Sequence, residues 1–308
     1  MTMQTVRAAL SGISGIHVTP YGPGGEVDEA LLGRLVRRIA DAGVHNIVSG
    51  GNTGEFFSLT FDEVVRVQAV AFAAMGDMPV RTAAVGRSLR EAIATARLAV
   101  TAGAQALMVH HPLDPFASPA SQADYFIAIA ESATVPVMAY LRSDAIPAGD
   151  VARIARHPNI AGIKFATPNL MHLAACMRAA AESPAVWVCG LAEGWAPAFY
   201  GAGARGFTSG LINVDPQRSL AIWRALDGGD YAAARAMITP IAPFEEMRTK
   251  YNNGANVTVV KEAMRLCGWN VGGVRLPGQP ELTAGERVAL AKILSDLGHS
   301  PALAVAAE

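Results

Sequence analysis

From about Ser11 to Asp227, short apolar runs alternate with longer amphipathic segments, and this alternation narrows the fold more than any other property of the chain. Strand-like runs stand at Gly12–Val18, Val44–Ser49, Val80–Ala84, Gln105–Val109, Val135–Tyr140, Ile160–Phe165, Val186–Cys189 and Gly206–Ser209. Between them apolar residues recur with helical spacing, as in Glu29–Ala42, Asp62–Met75, Leu89–Ala102 and Gln122–Ser132. Thr60 precedes Glu63, and Ser88 precedes Glu91, at capping-box spacing. Gly43, Gly76 and Gly103 follow helical segments, where a left-handed closing residue is favoured. Strands that alternate with helices pair in parallel through right-handed crossovers. About eight such units in roughly 220 residues match a closed (β/α)8 TIM barrel. The open doubly wound rival ordinarily carries a Gly-x-Gly-x-x-Gly turn after an early strand, and no early strand here is followed by one.

Beyond Asp227 the strand signals fade, and Tyr231–Met247, Val257–Cys267 and Ala284–Leu297 read as helices. The expectation is a barrel over residues 1–229 with a C-terminal helical extension over 230–308 packed on it. Gly272-Gly273 and Pro277–Pro280 make the connecting loop, and the tail from Ser300 to Glu308 is expected to fray.

Composition removes several classes of function. A hydrophobic content of 51% supports a large core, and 17% charged residues argues against disorder. A net charge of −1 offers no footprint for nucleic acid. Arg34, Arg37 and Arg38 read as the solvated face of a helix. Cys176, Cys189 and Cys267 are odd in number and form no Cys-x-x-Cys pair, so neither a disulfide framework nor a zinc ribbon is expected. No window approaches a membrane span. The expected setting is soluble, reduced and cytoplasmic.

Several places in the chain are candidates to carry chemistry. Lys164 closes the apolar run Ile160–Phe165, and buried parallel strands exclude water. At the mouth of a barrel a desolvated amine has reason to be neutral, and a neutral amine attacks a ketone. The plain alternative is a lysine that snorkels into solvent. Gly50-Gly51-Asn52-Thr53-Gly54-Glu55-Phe56 follows a strand, and its exposed N–H groups with the Thr53 hydroxyl suit a carboxylate. A plain strand-to-helix turn reads the same way. Glu55 fits better as an acceptor for loop N–H groups or as a cap than as a reacting group.

Tyr140 ends another strand-like run, where its phenol can relay protons as a carbinolamine loses water. It reads equally as a half-buried aromatic with a satisfied hydroxyl. Arg142 either clamps a substrate carboxylate or pairs on the surface with Asp144. Neighbours on a strand face opposite ways, so His110 and His111 do not easily chelate one metal. His111, near the mouth, suits a proton carrier or a contact to a substrate hydroxyl. Glu193-Gly194-Trp195 and Ser209-Gly210-Leu211 are expected to complete the rim, with Ser209 a substrate contact.

In three pieces the chain resembles the dihydrodipicolinate synthase and N-acetylneuraminate lyase superfamily of Schiff-base lyases. They are Gly51-Asn52-Thr53-Gly54-Glu55, Tyr140 after Pro136-Val137-Met138-Ala139, and Gly162-Ile163-Lys164. The resemblance implies that Lys164 forms an imine with a 2-oxo acid, that Tyr140 handles protons and that Thr53 with its loop binds the carboxylate. It also implies a homotetramer or at least a dimer, with no metal or organic cofactor. Three departures count against the synthase reaction: Asn52 in place of a threonine, His110-His111 in place of a Tyr-Tyr pair, and Ala145 near the place of a substrate-binding arginine.

Gly54–Thr60, Tyr140–Asp144, Val260–Ala263 and Val274–Pro277 resemble 5-dehydro-4-deoxyglucarate dehydratases, which use the same imine to remove water and carbon dioxide from a sugar-derived diacid. Arg142 then has a second carboxylate to hold. Phe165-Ala166-Thr167 departs from the Asp-rich sequence expected there. Dehydration of a hydroxylated 2-oxo acid is therefore the first expectation. Aldol cleavage releasing pyruvate is the second, and 4-hydroxy-tetrahydrodipicolinate synthesis the third. A keto-acid sensor is the non-enzyme rival, and it would have no need of the Lys164–Tyr140 pair.

Overall fold

The computed structural model describes residues 1–302. Eight parallel strands close into a barrel: β1 Ile13–Ile16, β2 Asn46–Ser49, β3 Val80–Val85, β4 Ala106–Val109, β5 Val137–Leu141, β6 Ile160–Phe165, β7 Val186–Cys189 and β8 Phe207–Ser209. Each lies next to its sequence neighbour, and β8 returns to β1 through Gly15 and Ser209. Every residue of β6 is buried, Lys164 included, as expected for strands covered on both faces. The expected strands lie within two residues of the observed ones at each end.

The helices that wrap the barrel include α2 Glu29–Asp41, α3 Phe61–Ala74, α4 Leu89–Thr101, α5 Pro119–Ser132, α6 Ala148–Arg156, α7 Leu170–Ala179, α8 Ala196–Gly201 and α9 Pro216–Asp227. Thr60 and Glu63 form a full capping box at the start of α3. Ser88 caps α4, but the Glu91 carboxylate turns to Arg87 at 2.7 Å instead of closing the box. Gly43 and Gly103 take the left-handed backbone at φ 92° and 103°. Gly76 does not: α3 ends at Ala74 and Met75 already runs extended, so no left-handed closure is needed.

Two further features depart from the sequence expectation. A helix at the N-terminus, α1 Met3–Leu10, buries Val6 and Leu10 and caps the lower end of the barrel, where the Arg7 guanidinium donates to the Ile160 carbonyl. Its short amphipathic stretch carries too few residues to announce a helix. The single helix expected over Tyr231–Met247 is divided into α10 Tyr231–Ile238, a tight turn Thr239–Ile241 and α11 Ala242–Thr249. Pro240 and Pro243 lack the N–H that a continuous helix needs there. The extension continues with α12 Asn256–Leu266 and α13 Ala284–Asp296. Ala302 is tied by its N–H to the Leu266 carbonyl at 2.8 Å, and the rest of the expected frayed tail, residues 303–308, lies outside the described residues.

Candidate active site

A cavity of about 500 Å³ opens at the C-terminal ends of the strands, where barrel loops converge. Lys164 and Tyr140 are register partners on neighbouring strands, so both side chains project to the same side of the sheet, into the cavity. Lys164 is 4% exposed, and its Nζ lies 3.8 Å from the centroid of the Tyr140 ring. Burial, reinforced by the nearby Arg142 charge, lowers the amine to a pKa of about 7. Burial raises the Tyr140 phenol above its ordinary value. The phenol oxygen accepts from Asn52 Nδ2 at 3.1 Å, which leaves its own O–H free to donate elsewhere.

Asn52–Gly54 form a tight helical turn, and Asn52 and Thr53 line the cavity. Gly51 and Gly54 stand behind them and permit close packing. A Cβ on Gly51 would come within 2.7 Å of the Ile16 side chain, and one on Gly54 within 3.1 Å of the His17 carbonyl oxygen. Arg142 is exposed at the cavity edge and has no ion-pair or hydrogen-bond partner among the described residues. Asp144 accepts instead from Thr167 Oγ1 at 2.5 Å and Asn169 Nδ2 at 3.1 Å, so the surface pair between Arg142 and Asp144 is not formed.

Two expected contacts lie elsewhere. His111 does not line the cavity; its ring sits 6.3 Å from Phe126 of α5, outside the barrel. Burial and then the Arg142 charge hold it at a pKa of about 4. His110 takes the inward position beside Tyr140, because the register that aligns Val109 with Ala139 carries on by one residue. Its ring stacks on Phe56 at 4.4 Å, and Nε2 donates to the Gly50 carbonyl at 3.0 Å. Burial drives its pKa to about 3, so the imidazole is neutral. Ser209 is also behind the wall, donating to Glu193 Oε1 at 2.5 Å, and its neighbours Thr208 and Gly210 face the cavity. Glu193 is fully buried, and burial pushes its carboxyl up to about 7. Trp195 reaches the rim as expected and is 40% exposed.

The wall that sequence reasoning missed comes from the extension. Glu245, Arg248 and Thr249 of α11, with Asn253 and Asn256, close one side of the cavity. Arg248 pairs with Glu245 at 2.7 Å and donates through Nε to Asn256 Oδ1 at 3.0 Å. Gly210 leaves room for it, since a Cβ there would lie 2.6 Å from Arg248 Nη2. In the sequence, Glu245 and Arg248 have the spacing of an ordinary surface pair on a helix, and nothing local marks them as cavity residues.

The fold and this cavity define an enzyme of the (β/α)8 barrel class, built around a buried lysine at a strand end. The sequence profile of the Dihydrodipicolinate synthetase family matches residues 9–297, and the chain belongs to that family of lyases. The 4-hydroxy-tetrahydrodipicolinate synthase of Methanosphaerula palustris is 31% identical over 293 residues, covering 93% of this chain and 99% of that one. The probable 5-dehydro-4-deoxyglucarate dehydratase of Streptomyces griseus is 31% identical over 289 residues, covering 90% of each. The crystal structure of dihydrodipicolinate synthase from Oceanobacillus iheyensis superposes with a TM-score of 0.93 at 33% identity, covering 96% of this chain and 99% of that one. Among the described residues no helix is long and apolar enough to cross a membrane.

Proposed function

We propose that the chain is a Schiff-base lyase that removes water and carbon dioxide from a keto-deoxy sugar diacid, with Lys164 as the nucleophile and Tyr140 as the proton carrier. The observation that carries this reading is the buried Lys164 amine, brought to about 7 and seated against the Tyr140 ring. At pH 7 about half of such amines are neutral, against roughly one in a thousand for an ordinary lysine.

The neutral Nζ attacks the ketone carbon, and loss of water from the carbinolamine gives a protonated imine. Loss of a proton from the adjoining carbon forms an enamine, which expels the next hydroxyl as water. The resulting conjugated iminium accepts the electron pair released when the distal carboxylate leaves as carbon dioxide. Protonation of the resulting dienamine on carbon restores an iminium, and its hydrolysis returns the free amine with the oxo acid product. Tyr140 has a free O–H and a polarising partner in Asn52, which suits it to give and take protons at the first steps.

Three features favour a diacid sugar. The Asn52–Thr53 turn suits the carboxylate beside the ketone, and the unpaired Arg142 suits the second one. The polar wall of Arg248, Thr249, Asn253 and Asn256 suits hydroxyls. The neutral His110 at the inward position offers no replacement hydroxyl for a synthase-type relay.

Pyruvate with borohydride is expected to add one reduced-imine mass to the intact chain. The amine is protonated below its pKa, so the initial labelling rate falls as pH is lowered through about 7. An unchanged mass with every 2-oxo acid tried would sink the imine. For Arg142→Gln, KM for the sugar diacid is expected to rise about 10- to 100-fold, the worth of a hydrogen bond to a charge, while pyruvate labelling still reaches completion, slowed only by the rise in the Lys164 pKa that loss of the Arg142 charge brings. Steady-state kinetics set beside the labelling rate check both halves.

A further inference from the structure

Glu55 follows the cavity-lining turn Asn52–Gly54 and holds a left-handed backbone, φ 61° and ψ 35°. A bulky non-glycine residue stays in that region only where its surroundings over-determine it. Here they come from far along the chain. Lys261 of α12 places Nζ 2.5 Å from Glu55 Oε1, with both side chains 3% exposed. Glu55 Oε2 accepts from the Arg275 backbone N–H at 2.8 Å. Lys261 Nζ also donates to the Gly273 carbonyl at 2.6 Å and lies 4.1 Å from the Tyr21 ring centroid. The Arg275 guanidinium lies 4.3 Å from the same centroid and pairs with Glu63 at 2.7 Å. Neither Glu55 nor Lys261 faces the cavity.

We propose that Lys261 and Glu55 are positioning residues, a buried clasp through which the extension sets the shape of the turn that receives the substrate carboxylate. A buried ion pair is a weak source of net stability, since two apolar side chains of similar volume serve as well. What apolar side chains do not supply is direction. The Glu55 carboxylate is held at both oxygens, by an ammonium on one side and a backbone N–H on the other, and this fixes the residue that ends the turn.

The clasp rests on the imine reading above, and the experiment separates the two. Wild type, Lys261→Met and the double variant Glu55→Gln/Lys261→Met are labelled with pyruvate and with acetone in cyanoborohydride, and the adduct rates are read by intact mass. Acetone offers the same ketone without a carboxylate, so the ratio of the two rates isolates what the turn contributes. The double variant leaves no buried charge without its partner, which keeps the fold in reach of the measurement. The pyruvate-to-acetone ratio is expected to fall about tenfold or more in both variants, as displacement of a positioned group by about an ångström produces, with the acetone rate close to wild type. A general loss of folded protein lowers both rates together and leaves the ratio alone. An unchanged ratio in the double variant overturns the clasp, whatever the absolute rates. No adduct in wild type with either ketone overturns the imine and the clasp with it.

Discussion

Lys164→Ala is expected to lower turnover roughly 10,000-fold or more and to leave the chain folded. The first half follows from the chemistry proposed for the site: without the ε-amine there is no covalent intermediate and no electron sink, and among the described residues no other lysine lines the cavity. The second half follows from where the side chain ends. Lys164 runs into the cavity and not into packed core, so its truncation enlarges a space that water can enter instead of leaving a dry void. The melting temperature is expected to stay within about 5 °C of wild type, and borohydride labelling to vanish. Wild-type rates in this variant would remove the lysine from the mechanism. Lost rates with a collapsed melting temperature would mean that the amine serves the fold instead.

Tyr140→Phe is expected to lower kcat about 100- to 10,000-fold, the range that a positioned proton carrier supplies. The substitution keeps the ring that lies against Lys164 and removes only the hydroxyl bonded to Asn52. Because the amine and its surroundings persist, the imine still forms, more slowly, and labelling with pyruvate reaches completion given time. That split between a crippled turnover and a complete adduct is the signature to measure. Turnover and labelling both at wild-type rates would leave the phenol without a chemical part.

Much of the fold was legible in the chain because the signals that encode it are short-range. Each strand is a brief apolar run, each helix an apolar stripe with caps, and the regular succession of the two leaves few topologies open. The strand-end lysine and tyrosine were legible for the same reason, since a polar group that closes an apolar strand stands out against its neighbours. The orientation of His110 and His111 was not. Parallel strands covered on both faces are apolar throughout, so no alternation marks which residues point inward. Only the pairing of β4 with β5 settles that His110 stands beside Tyr140. Ser209 was misplaced by the same ambiguity of one residue at the end of β8, where Thr208 faces the cavity.

By itself, the sequence determined the barrel, its eight strands and the strand ends that carry the lysine and the tyrosine, because local periodicity and the order of strands and helices place all of these. The tertiary structure alone decided that α11 and α12 return to wall the cavity with Arg248 and Asn256, and that Lys261 reaches back to Glu55. Residues some two hundred positions apart meet only through packing. No local pattern of polarity or spacing records such a meeting before the chain has closed on itself.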